Sequence, residues 1–257
     1  TNNLNFASPE TEIGYWQLST ACEGISIACE ALETPVTGGN VSLYNESIDE
    51  EGNKKPIQPT PVIGMVGVLD NVKQAVSSGW KNINDEIWII GSRDSGLTLG
   101  ATSYLEYFHG QITGRPPSLN LIDEKLCQLF IRNGILNNLI ISSHDVSDGG
   151  LAIALAESCI LSDKGASINL IANERIDSLL FSEGGSRIIF SISHMKKNEW
   201  LKFVSEESKN FTDSIYITKI GTVLQDTLKI KISDNIICNL KISSLADKFN
   251  NGLSNNF

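Results

Sequence analysis

The sequence predicts an α+β fold in two units, and three observations carry that expectation. Apolar residues recur at helical spacing near the start, short apolar runs of strand length recur through the rest, and the two kinds of segment do not alternate regularly. Irregular alternation favours α+β layers with a largely antiparallel sheet over a doubly wound parallel one. At 257 residues the chain is long enough for two packed units.

Between residues 12 and 32 the apolar positions Leu18, Cys22, Ile25, Cys29 and Leu32 fall on one side of a helix, while Glu23, Ser26, Glu30 and Glu33 fall largely on the other. Pro35 ends it, because proline disfavours helical geometry in the residue before it. Residues 41–44 alternate as a half-buried strand does. Residues 45–59 are polar and predict a loop or hairpin excursion, and residues 60–69 form an apolar run that predicts a buried strand. Gly64 and Gly67 within that run predict close approach of another element.

Residues 71–86 are polar and mark the boundary, with units expected at 1–72 and 73–257; a new strand starts at Ile87. Helices are expected at residues 103–108, 121–133, 151–161 and 196–208. Strands are expected at 139–141, 168–171, 187–192, 216–223 and 227–232. Trp16, Trp80, Trp88 and Trp200 are expected to pack in the core, since no basic residues interleave with them.

Hydrophobic residues make up 41% and charged residues 19%, ordinary for a folded chain. The net charge of -10 argues against nucleic-acid and anionic-membrane partners, so a phosphate ligand needs local N–H donors or a cation. No apolar segment is long enough to cross a bilayer and the start carries no signal pattern. The five cysteines form no CxxC pair, which points to buried free thiols, a reducing compartment and a cytoplasmic setting.

Three glycine-bearing segments could carry chemistry. In residues 37–42 (TGGNVS) the glycines let backbone N–H groups approach a phosphate, Asn40 offers a neutral carbonyl to a hard cation, and Ser42 can donate to a substrate oxygen. A tight turn between helix and strand explains the same glycines equally well. No GxxxxGK[ST] string is present, which excludes a P-loop. Residues 143–150 (SHDVSDGG) place His144, Asp145 and Asp148 ahead of a helix; they suit a metal or nucleotide corner, or a helix cap supplied by Ser147 or Asp148. Residues 181–187 (FSEGGSR) set Glu183 at a sheet end, where a turn is the simplest reading. His109 and His194 stand alone and read as surface or capping residues.

Taken together, residues 34–46 (TPVTGGNVSLYNE), 59–72 (PTPVIGMVGVLDNV) and 144–157 (HDVSDGGLAIALAE), with Leu4-Asn5-Phe6, Pro9-Glu10 and the Glu183 loop, resemble formylglycinamidine ribonucleotide synthetase over essentially the whole chain. The resemblance implies a pseudo-twofold enzyme of two similar halves, of which this chain matches the second. It implies a partial N-terminal sheet unit and a complete C-terminal α+β domain of the aminoimidazole ribonucleotide synthetase-like superfamily. The chain opens on Thr1 directly before an apolar motif, so a preceding part is expected.

Carried over by position, Gly39 would contact ATP, Asn40 would bind magnesium and Ser42 would touch the ribonucleotide substrate. Asn2 stands where many members carry an aspartate that contacts ATP, keeping a polar acceptor and losing a charge. Asp145 and Glu183 correspond through the internal twofold to a magnesium ligand and a substrate loop of the first half. The family's catalytic histidine lies in that first half, so no catalytic residue is expected here. The implied reaction converts formylglycinamide ribonucleotide to the amidine with ATP and ammonia. A separate glutaminase subunit would supply the ammonia, with a small accessory subunit as a further partner. The competing expectation is a non-catalytic nucleotide-binding or scaffold half. A lone second half would also self-associate through the face its partner should cover.

Overall fold

Residue patterning and backbone pairing divide the chain into two units, 1–70 and 71–257. The structure, a computed structural model, describes residues 1–93, 96–171 and 175–252.

In the first unit, strand β1 (Asn2–Asn5) leads into helix α1 (Glu12–Ala31) and then strand β2 (Gly39–Ser42). Thr11 caps α1, accepting from Gly14 N–H at 3.1 Å, and Glu12 in the first turn complements the helix dipole. The helix allows β1 and β2 to pair in parallel, while β5 (Thr60–Ile63) pairs antiparallel on the other side of β1. The polar excursion is a hairpin of β3 (Glu46–Ile48) and β4 (Lys54–Pro56). Leu4, Phe6 and Ala7 are the buried apolar residues of this unit.

Four expectations for this unit are corrected. The apolar run from residue 60 is strand only to Ile63, and it is exposed: Val66 and Val68 are 92% and 91% accessible. Its composition records a surface that this chain alone does not cover. A Cβ on Gly64 would meet Thr1 only at ordinary contact distance and one on Gly67 would meet nothing, so neither glycine answers to a close approach. Trp16 is likewise exposed rather than packed, and of the cysteines Cys22 is exposed. Apolarity at helical spacing identifies a face, and cannot say whether this chain or another covers it.

The second unit is built on a seven-stranded sheet. Its strands are β6 (Glu86–Ser92), β7 (Ile140–Asp145), β8 (Gly165–Leu170), β9 (Arg187–Ile192), β10 (Ile215–Leu224), β11 (Thr227–Ile232) and β12 (Asn235–Lys241). The order is β12-β11-β8-β10-β6-β9-β7, with β8 and β11 the one parallel pair. Every residue of β6 is buried, because helices cover both faces. Ile87 and Ile89 join the core made by α4 (Gly150–Ser162), α5 (Ile176–Phe181) and α7 (Ile242–Asn251). Trp88 and Ile90, one residue out of phase, join the core made by α3 (Leu121–Leu136) and α6 (Lys197–Glu207). There Trp200 packs edge-on against Trp88 at 5.6 Å and Phe130 at 5.7 Å. A short helix α2 (Ser103–His109) precedes α3.

Strand β7 runs further than the apolar run that predicts it, through Ser142, Ser143 and His144. Buried Ser142 is satisfied by the Ser191 hydroxyl of β9 at 2.5 Å, so a polar pair continues the sheet interior. Strand β12 and helix α7 were not legible: β12 is a largely exposed edge without apolar alternation. No described helix is long and apolar enough to cross a membrane.

Candidate functional site

The TGGNVS segment becomes strand β2, and its register with β1 decides where each side chain points. Asn2 lies opposite Gly39, Asn3 opposite Asn40, Leu4 opposite Val41 and Asn5 opposite Ser42. Opposed residues share a face and faces alternate. Asn40 and Ser42 therefore stand with Asn3 and Asn5 on one polar face, while Asn2 and Gly39 share the other with buried Leu4. A Cβ on Gly39 would sit 1.8 Å from the Asn2 carbonyl oxygen. Glycine is thus required first by the close pairing of two backbones. Gly38 has open space around it and is free to approach a ligand.

Ser42 is fixed by a residue that sequence reasoning passed over. Asn45 Nδ2 donates to the Ser42 carbonyl at 2.9 Å and to the Phe6 carbonyl at 3.2 Å, and Ser42 Oγ donates to Asn45 Oδ1 at 3.2 Å. Tyr44 takes a left-handed backbone, φ 61°, and its hydroxyl donates to Glu10 Oε1 at 3.2 Å. That hydrogen bond and the adjacent carboxylate raise the Tyr44 phenol above its ordinary pKa. The NVSLYNE string therefore mixes outward-facing polar residues with the pins that hold the turn behind them. Ser-x-x-Asn spacing across the strand end, from Ser42 to Asn45, was the available signal for Asn45.

Asn2 faces helix α1. Its Oδ1 is buried without a hydrogen-bond partner and borders a cavity of about 580 Å³ between β1 and the last turns of α1. An orphaned buried acceptor marks a place where a ligand donor would be satisfied. Asn2 and the pair Asn40 and Ser42 thus flank Gly39 on opposite faces of one strand pair.

In the second unit the two further candidates are not equivalent. Asp145 ends β7 with its side chain exposed. His144 beside it is turned inward, its Nε2 3.3 Å from Glu157 Oε2 and its Nδ1 2.7 Å from the Asp145 carbonyl. Helix α4 is capped by neither Ser147 nor Asp148, contrary to expectation. Its cap is Gly149, φ 75°, which has no side chain to offer, and Glu183 reaches across to accept from the Gly149 N–H at 2.7 Å. The same Oε1 accepts from Ser103 N–H at 3.0 Å, at the start of α2. Gly150 then starts the helix with its α-carbon against the 180–182 backbone, where a Cβ would clash.

Behind this turn a buried carboxylate ties strand ends together. Asp123 accepts from the hydroxyls of Ser92, Thr212 at 2.6 Å and Ser214 at 2.5 Å. Burial raises its pKa, but the three hydroxyl donors outweigh burial and hold the carboxyl below its ordinary value.

Among the described residues no group of three or more His, Cys, Asp or Glu side chains could cage a metal. The neutral oxygens around Asn40 suit magnesium only as one part of a shell completed by phosphates and water. That arrangement presents an oxygen-rich, phosphate-tolerant strand edge without a general acid or base.

Residues 82–225 match the family described as AIR synthase related protein, C-terminal domain, and residues 1–69 match AIR synthase related protein, N-terminal domain. The chain is similar to the phosphoribosylformylglycinamidine synthase subunit PurL of Prochlorococcus marinus strain AS9601, 64% identical over the whole of this chain and 33% of that protein. It spans about a third of the length of the curated relatives it matches. In fold it is similar to T. maritima PurL complexed with ATP, with TM-score 0.63 and 15% identity over 95% of this chain and 37% of that one. It is equally similar to T. maritima PurL complexed with FGAR, with TM-score 0.63 and 15% identity over 95% and 39%. At that identity these structures bear on fold alone.

Proposed function

The chain belongs to the family of AIR synthase related proteins, and from that premise we propose that it is the second-half portion of a phosphoribosylformylglycinamidine synthase. In this reading the whole enzyme works in purine biosynthesis and in the cytoplasm, and this chain supplies one wall of its ATP site. The observation that carries the proposal is the β1/β2 register, which gathers Gly39, Asn40 and Ser42 on one strand beside the unpaired Asn2 amide.

The chemistry converts an amide to an amidine. The glycinamide carbonyl oxygen of formylglycinamide ribonucleotide attacks the γ-phosphorus of ATP, ADP leaves, and with loss of the amide proton the carbonyl carbon becomes that of an iminophosphate. Ammonia adds to that carbon and inorganic phosphate departs with the former amide oxygen. Phosphorylation turns a poor leaving group into a good one, so the protein's task is positioning and charge neutralisation.

The residues of this chain divide that task. The backbone at Gly38 and Gly39 approaches the phosphates. Asn2 Oδ1 accepts from a donor on the nucleotide. Asn40 would hold magnesium through its neutral carbonyl, and the ion would supply charge neutralisation for the phosphates. Ser42, positioned by Asn45, touches the ribonucleotide through its hydroxyl oxygen. The units at 1–72 and 73–257 are the end of one sheet domain and the following α+β domain. The proton-transferring histidine comes from the other half, and ammonia from a glutaminase subunit assembled with a small accessory one.

A second reading applies to the second unit. Asp145 and Glu183 are proposed to mark a pseudo-symmetric counterpart of the substrate site, and Glu183 is already engaged by two backbone N–H groups. That engagement favours a scaffold role for this copy and no turnover by the chain alone.

The test uses the full-length synthetase. Asn40→Ala is expected to raise the magnesium concentration needed for half-maximal rate and to lower turnover roughly 10²-fold, the scale of one lost preorganised contact. An unchanged magnesium dependence would remove Asn40 from the metal shell. Mixing this chain with a separately produced first half should restore ATP- and ammonia-dependent phosphate release that neither gives alone.

A further inference from the structure

The second unit buries a cation that the proposed chemistry does not use. Arg187, the first residue of β9, is 4% exposed. Its Nη2 donates to the Ser182 carbonyl and its Nε to the Gly184 carbonyl at 3.4 Å, leaving three of the five guanidinium N–H groups without an acceptor among the described residues. Among the described residues it makes no ion pair. The neutral Tyr216 phenol lies beside it, and burial pushes the guanidinium pKa down from a value so high that the group stays charged. A buried guanidinium without a counter-charge is costly unless something anionic meets it.

Arg187 borders a cavity of about 960 Å³ on the sheet face formed by β6, β8 and β10. A second cation stands at the same place. Arg93 lies over the Tyr216 ring, 5.7 Å from its centre, and spends Nη1 on the Asp213 carbonyl at 3.1 Å. Gly91 makes room for that ring: a Cβ there would meet the Tyr216 phenol at 2.7 Å. The remaining lysine of the lining, Lys219, is neutralised by Glu86 at 2.7 Å. Part of the wall is apolar, formed by Ile89, Leu151, Leu179 and Ile220 among others, and part is polar, with Thr98, Asn169 and Thr218.

Two guanidinium groups flanking one phenol, with no carboxylate among the described residues paired to either, call for a dianion. We infer that this cavity is a binding site for a phosphate monoester with an apolar body, its phosphate on Arg187 and Arg93 and its body against the Ile89, Leu151 and Leu179 wall. The site lies wholly within the second unit and does not depend on the reading of Gly39 and Asn40.

Phenyl phosphate is the probe, with phenol and inorganic phosphate as its two halves, followed by ligand-observed NMR with the 257-residue chain. Saturable binding of phenyl phosphate is expected, about tenfold or more tighter than either half, because charge and apolar wall each contribute. Arg187→Met should abolish it with circular dichroism unchanged. Arg93→Gln, a surface change, should weaken it about fivefold at unaltered melting temperature, and it decides the question if the Arg187 variant does not fold. Asn40→Ala should leave it as it is. The inference is overturned if phenyl phosphate shows no saturation, if inorganic phosphate binds as tightly, or if Arg93→Gln binds like the parent chain.

Discussion

The Glu183 carboxylate holds the Gly149 N–H at 2.7 Å, so a residue on the loop before β9 caps the helix that follows β7. Since the same oxygen also accepts from Ser103 N–H, one side chain closes two helix N-termini. The N-cap residue of α4 offers no side-chain acceptor of its own, whereas Thr102 also caps α2 by accepting from Leu105 N–H. Glu183→Ala is expected to cost about 1–2 kcal/mol, read as a lower melting temperature, and Glu183→Gln to cost less because an amide oxygen still accepts. Equal losses for both variants would mean that charge at the helix ends, rather than the hydrogen bonds, is what matters.

The glycines of the first unit should respond in opposite directions. Gly39→Ala forces a Cβ to within 1.8 Å of the Asn2 carbonyl, so β1 and β2 must separate. Amide exchange in residues 2–5 should accelerate sharply. Gly24→Ala, in the middle of α1 with nothing within 4 Å of its Cβ, should stabilise by about 0.5–1 kcal/mol through helix propensity.

Asp123 gives a pH dependence of known sign. Its folded pKa lies below the unfolded one, so its contribution is full above the ordinary carboxylate range and fades as pH falls through the folded value. Asp123→Asn should lower stability by about 1–3 kcal/mol at neutral pH. The difference from the parent chain should shrink below about pH 4, the unfolded carboxylate range. A gap that stays constant down to pH 2 would assign the loss to packing.

The first unit exposes an apolar surface that one chain leaves bare. Tyr15, Trp16, Val41, Met65, Val66, Val68 and Leu69 are each more than 60% accessible. Concentration-dependent self-association is expected in sedimentation, and Trp16→Glu with Val66→Glu should reduce it. A monodisperse parent chain would show that this surface is tolerated in water.

How much of this was legible in advance follows from which interactions are local. Helix α1, the hairpin, β6 and the helix and strand sequence from α3 to β11 could be read because their apolar spacing is set within a few residues. The Gly39, Asn40 and Ser42 segment was found because glycines and short polar residues concentrate there. The two-helix cap by Glu183 was not, since its partners lie 34 or more residues away, and Asn45 was passed over although part of its bonding, to Ser42, is local.

The sequence by itself determined the α+β class, a strand near residue 41 and the resemblance carried by the GGNVSLYNE and PTPVIGMVG strings; the strand itself is Gly39–Ser42 and mostly exposed, not half-buried at 41–44. Only the tertiary structure decided that Gly39 is demanded by the Asn2 backbone, that Asn2 turns away from Asn40, and that the run after residue 60 lies on the surface. The physical reason is that apolarity and glycine record a need for contact or space, while strand register and burial decide which partner meets it.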